Sequence, residues 1–150
     1  MKVDAAARTI LSGLKEAGIN LIASLPDINL AELLRLIEQD RDVIHVPLCR
    51  EEEGIGICAG AYLVGKKCAV VMQNGGFFNS NNAIVSTLLQ YQIPLLLMIY
   101  YAGDFGDRDR QDDVADAPVA FPRLRQRRQA GAHQGVDLVL GVSLGAQPRP

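Results

Sequence analysis

Apolar positions along this chain switch repeatedly between helical and strand spacing. Between Ala5 and Ala17, the residues Ile10, Leu11, Leu14 and Ala17 recur at three- and four-residue intervals, which predicts an amphipathic helix. Asn20 to Leu25 is a short apolar run stopped by Pro26-Asp27, the pattern of a buried strand. Asn29 is placed to cap a second helix carrying Leu30, Leu33, Leu34, Leu36 and Ile37, with Glu32 positioned as in a capping box. Val43 to Leu48 predicts a second strand, Arg50 to Val64 a long helix, and Lys67 to Met72 a third strand. A glycine and asparagine turn over Asn74-Gly-Gly76 comes next, then a helix over Asn79 to Gln92. Ile93 to Tyr100 predicts the fourth strand, with Pro94 at its start, where the missing N–H does least harm.

A helix followed by alternating strands and helices, with strands that are continuous apolar runs, predicts a parallel α/β sheet covered by helices on both faces. Ligands of such sheets bind beyond the carboxyl ends of the strands. Three polar interruptions fall there: Pro26-Asp27, Arg50-Glu-Glu-Glu53 and Gln73-Asn-Gly-Gly76.

Composition narrows the function. An apolar fraction of 49% with 21% charged residues is that of a globular protein with one core. A net charge of −2 gives no basis for nucleic-acid binding, which needs a concentrated basic face. The one basic cluster, Arg123-Leu-Arg-Gln-Arg-Arg128, reads as a solvated run. Cys49, Cys58 and Cys68 do not form a CxxC motif, and their apolar neighbours predict buried, reduced thiols. The N-terminus does not read as a signal peptide, and the apolar stretch from Ile93 to Ala102 is shorter than a membrane span, so a cytoplasmic protein without membrane contact is expected. After Tyr101 the chain changes character: no Glu follows Glu53 and no Lys follows Lys67. The expected organisation is one domain over residues 1–103 and an atypical segment over 104–150. That segment reads as a loop or disordered tail, with Val136 to Leu144 as a last short strand; a frameshifted or truncated end would produce the same change.

The segment richest in chemistry is Arg50-Glu-Glu-Glu-Gly-Ile-Gly-Ile-Cys-Ala-Gly-Ala-Tyr62. Acids at a helix start favour the positive end of the helix dipole, each by a few tenths to about 1 kcal/mol. That accounts for the charge but not for Gly54, Gly56, Ala59, Gly60 and Ala61, since an interior glycine costs a helix about 1 kcal/mol. Small residues are kept where another backbone or a ligand approaches closely. A carboxylate leading such a helix is a candidate for an acid buried at an interface.

The strand Val43 to Leu48 followed by Arg50-Glu-Glu-Glu-Gly, with Tyr62 ten residues after the middle acid, resembles the pyrimidine-binding domain of thiamine-diphosphate enzymes. The longer set Val46-Pro-Leu-Cys-Arg-Glu-Glu-Glu-Gly, Gly60-Ala-Tyr, Met72-Gln-Asn-Gly-Gly and Asn79-Ser-Asn-Asn-Ala-Ile84 resembles the alpha subunits of sulfopyruvate decarboxylases, with phosphonopyruvate decarboxylases as near relatives. The resemblance covers roughly residues 5 to 103. It implies that Glu52 is the catalytic acid, hydrogen-bonding the cofactor's aminopyrimidine ring with a carboxyl pKa raised by burial. Glu51 and Glu53 are left as helix-start acids or salt-bridge partners.

The resemblance further implies that Gln73, Asn74, Gly75, Gly76 and Asn79 lie beside the cofactor, where relatives carry a Gln-Asn-Ser-Gly-Leu-Gly-Asn loop. Here Gly75 replaces the serine, and Phe77-Phe78 replaces the leucine and glycine, so Phe78 is placed to crowd the cofactor. An ordinary strand-to-helix turn capped by Asn79 is the alternative. Pro26 and Asp27 fall at the substrate end, Asp27 either steering protons or capping the next helix. Arg50 is the local candidate for reading a sulfonate or phosphonate. His45, within a strand pattern, reads as a satisfied core histidine rather than a catalytic one.

Thiamine-diphosphate enzymes hold the diphosphate through Mg2+ in a second domain marked by Gly-Asp-Gly, and Gly103-Asp-Phe-Gly106 is no substitute. The resemblance therefore implies no metal ligand in this chain, and a beta subunit that carries the diphosphate-binding domain and the ion. The implied activity is decarboxylation of a 2-oxo acid, sulfopyruvate to sulfoacetaldehyde and carbon dioxide. The alternatives are phosphonopyruvate, or a degenerate subunit that keeps the fold without turnover.

Overall fold

The computed structural model describes residues 5–100. Four parallel strands form one sheet in the order β2-β1-β3-β4: β1 Leu21–Ser24, β2 Ile44–Pro47, β3 Cys68–Gln73 and β4 Leu96–Tyr100. Helices α1 (Ala5–Glu16) and α2 (Ala31–Gln39) cover one face. Helix α3 (Glu51–Leu63) covers the other, with the succession of α4 (Asn74–Asn79), α5 (Asn81–Ala83) and a π-helix over Ile84–Leu89. This is the parallel α/β architecture that the alternating pattern predicts. The boundary at 103/104, the basic cluster and the strand expected over Val136 to Leu144 lie outside the described residues.

The period of two along each strand sorts side chains into two cores. Leu21, Ala23, Cys68, Val70, Met72, Leu97 and Ile99 point toward Ile55, Cys58 and Ala59 of α3 and Ile84 and Leu88 of the π-helix. Ile22, Ala69, Val71 and Met98 point toward Ala7, Leu11 and Leu14 of α1 and Leu33 and Ile37 of α2. Gly54 lies where α3 meets the sheet: a β-carbon there would sit 2.7 Å from Leu48 Cδ1 and 3.2 Å from Val70 Cγ1. No helix among the described residues is long and apolar enough to cross a membrane.

Several local expectations change. Asn29 does not cap α2; it lies in a 3-10 turn over Ile28–Leu30 that Asp27 caps, accepting a hydrogen bond from the Asn29 N–H at 2.7 Å. Glu32 forms no capping box and instead pairs with Arg35 one turn on, at 3.1 Å. Asn74-Gly-Gly76 is not a turn but the first half of α4, which follows Gln73 with no side-chain cap, so Asn79 ends a helix rather than starting one. Cys58 and Cys68 are buried as expected, whereas Cys49 is exposed. Burial pushes the Cys58 thiol up to about 12 and raises that of Cys68 as well. His45 donates to, or accepts from, Ser24 Oγ through Nε2 at 2.8 Å, which satisfies a half-buried ring in the manner the strand pattern predicts.

Candidate active site

The chain leaves β1 toward β2 on one side and reaches β3 on the other, so the strand order reverses between β1 and β3. Right-handed crossovers then place α2 and α3 on opposite faces and open a crevice at the carboxyl ends of these two strands. A cleft of about 380 Å³ lies there, lined by Leu25, Pro26, Asp27, Ile28, Asn29, Glu51 and Gln73. The sequence thus brings together Pro26 and Asp27 after β1, Gln73 at the end of β3, and one acid of the α3 start.

That acid is Glu51. The three consecutive glutamates take separate directions because successive residues of a helix are rotated by about 100°. Glu53 turns back to cap: its Oε2 accepts from the backbone N–H groups of Cys49 and Arg50, at 3.2 Å each. Glu52 turns outward, 42% exposed, and pairs with Arg50 Nη2 at 3.1 Å, the arginine itself being 70% exposed. Glu51 turns into the cleft and lies against Gly76, where a β-carbon would overlap its carboxyl group. This chain by itself does not supply the burial that the sequence assigns to Glu52.

The remaining candidates do not line the cleft. Gly75 is exposed, and a β-carbon there would meet only Gln73 Oε1, at 3.7 Å. Asn74 is half-buried and Asn79 exposed. Phe78 does not line the cleft; its ring tilts against that of Phe77, 5.8 Å away, and Phe77 packs on the core beneath α3. Arg50 is committed to Glu52 and also stays out of the cleft. The cleft is acidic, with Asp27 and Glu51 among its lining residues and no Lys, Arg or His. Among the described residues no group of three or more His, Cys, Asp and Glu is placed to hold a metal ion.

Glu51 is the residue that sequence reasoning misses. Counting back from Tyr62 selects the middle acid, and nothing in the spacing signals which acid faces the crevice.

Residues 4–110 match the family described as "Thiamine pyrophosphate enzyme, N-terminal TPP binding domain". The chain is 52% identical to sulfopyruvate decarboxylase subunit alpha of Methanocaldococcus jannaschii, in a match covering 76% of this chain and 74% of the relative. It is 42% identical to the subunit of the same name from Methanococcus maripaludis, over 69% of this chain and 62% of the relative. Phosphonopyruvate decarboxylase of Streptomyces hygroscopicus is 28% identical, over 69% of this chain but 26% of the relative. Family and fold agree: this chain belongs to the thiamine pyrophosphate enzymes and carries their N-terminal, TPP-binding domain.

Proposed function

We propose that this chain is the alpha subunit of a thiamine-diphosphate-dependent 2-oxo acid decarboxylase, acting on sulfopyruvate and completed by a beta subunit. The observation that carries the reading is an acid in the wrong solvent for its task. Glu52 stands at a strand end, 42% exposed, on a helix whose outer face is apolar rather than polar. Ile57 on that face is 41% exposed and Leu63 75%, and Val64, which caps the helix, 78%. A second chain seated on α3 would cover this surface and desolvate Glu52 in the same step.

The cleft fits one end of thiamine diphosphate. Carboxyl and amide groups at or after the ends of three strands line it. It does not fit the diphosphate end, since no cation lines it and the described residues offer no metal-ligand cluster. That end, with Mg2+, is assigned to the beta subunit.

When bound, thiamine diphosphate supplies a carbon nucleophile for the 2-oxo group and an electron sink for the departing carbon dioxide. The Glu52 carboxyl would hydrogen-bond the cofactor's pyrimidine nitrogen once a partner chain covers it. Gln73, Asn74, Gly75, Gly76 and Asn79 are assigned to the cofactor side. Pro26 and Asp27 shape the substrate side, Asp27 doubling as the cap of the 3-10 turn. Arg50 would be freed to meet the sulfonate once Glu52 is buried. The location proposed is the cytoplasm.

Sulfopyruvate is favoured over phosphonopyruvate by the higher identity to the sulfopyruvate subunits, 42–52% against 28%. Co-expression with the partner, followed by assay of carbon dioxide release from both acids, tests the proposal. Turnover of sulfopyruvate that disappears in Glu52→Gln, with the complex still assembled, is the expected result. Near-normal turnover in Glu52→Gln would remove the role of this acid, and no turnover of either substrate would remove the activity.

A further inference from the structure

Resting on the proposed cofactor site, we infer that Glu51 is a second functional acid of that site, whose carboxylate stabilises the positive charge of the cofactor's thiazolium ring. Gly76 provides a seat for the Glu51 side chain. A β-carbon at position 76 would overlap the Glu51 carboxyl group, so the first residue of α3 reaches across to α4 and fills the space a side chain would take. Its two neighbours are occupied elsewhere, Glu53 in capping the helix and Glu52 with Arg50. Glu51 alone of the three acids lines the cleft.

The charge of the cleft indicates what it receives. Asp27 and Glu51 line it after the adjacent strands β1 and β2, joined by the amides of Asn29 and Gln73 and by no cationic side chain. Asp27 spends one oxygen on the Asn29 N–H. Two carboxylates with no cation between them favour a positively charged guest, and the attraction grows as a partner chain excludes water. Thiamine diphosphate carries one fixed positive charge, on its thiazolium nitrogen. An anionic substrate gains nothing from Glu51, so the residue serves the cofactor ring rather than the sulfonate.

The test separates charge from shape and reads binding rather than turnover. The alpha–beta complex is titrated calorimetrically, with Mg2+ present, with thiamine diphosphate and with its 3-deaza analogue, a neutral isostere in which carbon replaces the thiazolium nitrogen. Glu51→Gln keeps the shape of the side chain and removes its charge. It shifts the ratio of the two affinities toward the neutral analogue about fivefold to tenfold, the size of one partly screened charge pair. Gly76→Ala provides the same loss by another route: the atoms it displaces are the far end of a flexible side chain, so the fold is kept while the carboxylate leaves its seat. The double variant shifts the ratio no further than either single change.

A ratio that stays constant in Glu51→Gln, with both affinities intact or equally reduced, overturns the assignment and leaves the proposed activity standing. A wild-type complex that binds neither compound overturns both.

Discussion

The two faces of the sheet are built alike on the inside and differently on the outside. On one side, α1 and α2 bury Leu11, Leu14, Leu33 and Ile37 and turn charged residues outward. Lys15 there bridges Asp40 at 2.7 Å and Asp42 at 2.9 Å, tying the end of α1 to the turn before β2. On the other side, α3 buries Ile55, Cys58 and Ala59 yet also presents Ile57 and Leu63 to solvent, with Val64 just beyond its end. The π-helix repeats this, with Ile84 and Leu88 inside and Val85 58% and Leu89 48% exposed. A face sealed by ion pairs is finished; a face apolar on both sides is unfinished until something covers it.

This contrast breaks most sharply at the outer surface of α3. Leu63→Asp combined with Val64→Asp is expected to abolish co-purification with the proposed beta subunit, a loss of more than about 100-fold in affinity. Ser12→Asp on the outer face of α1 leaves it unchanged. Equal losses from both sites would show that the faces do not differ in function.

Inside, the faces should be equivalent. Ile37→Ala beneath α2 and Ile55→Ala beneath α3 each empty a fully buried site and should each cost about 2–5 kcal/mol in urea unfolding of the chain. A much smaller loss at Ile55 would mean that the α3 core is loosely packed before assembly. Gly54→Ala sharpens the same point. Its new methyl group has to displace Leu48 and Val70 and should cost about 1–3 kcal/mol, whereas Gly56→Ala, with open space around it, should stabilise α3 slightly.

The smallest effect concerns the sealed face. The hydrogen bond that Lys15 donates to Asp40 holds that carboxyl below its ordinary value of 3.8, and donating to Asp40 and Asp42 raises Lys15 above 10.5. A depressed carboxyl pKa stabilises the fold at pH above 3.8, and that contribution is lost as pH falls through the lower folded value. The raised lysine pKa stabilises below 10.5 and is lost as pH climbs through the higher folded value. Asp40→Asn should therefore lower the thermal midpoint slightly at pH 7 and flatten its fall in acid. The exposed pair is screened, so an unchanged pH profile in the variant would show that it contributes nothing measurable.

Much of the fold was legible because hydrophobic period carries it. Among the described residues every strand lies within a few residues of its predicted place, as do α1, α2 and α3, whereas the helix expected over Asn79 to Gln92 is the short α5 followed by a π-helix. The three polar interruptions do fall at strand ends. What escaped was set by geometry that no local pattern encodes. Gly75 and Gly76 argue for a turn on propensity, yet α4 runs through them, and Gly76 leaves room there for Glu51. Asn29 and Asp27 are both good caps, and only the 3-10 turn between β1 and α2 decides for Asp27. The directions of Glu51, Glu52 and Glu53 depend on how α3 sits on the sheet, which is fixed by contacts of Gly54 and Ile55 with other elements rather than by the acids themselves.

Strand β2 bears on how chains of this kind can meet at all. It is four residues long, stands at one end of the described sheet, and finishes in Pro47, which has no amide hydrogen to offer a neighbour. Extending the sheet across a subunit boundary along that edge would thus begin from a very short and incomplete set of donors. Strand addition along that edge is weakened there by the covalent structure of one residue.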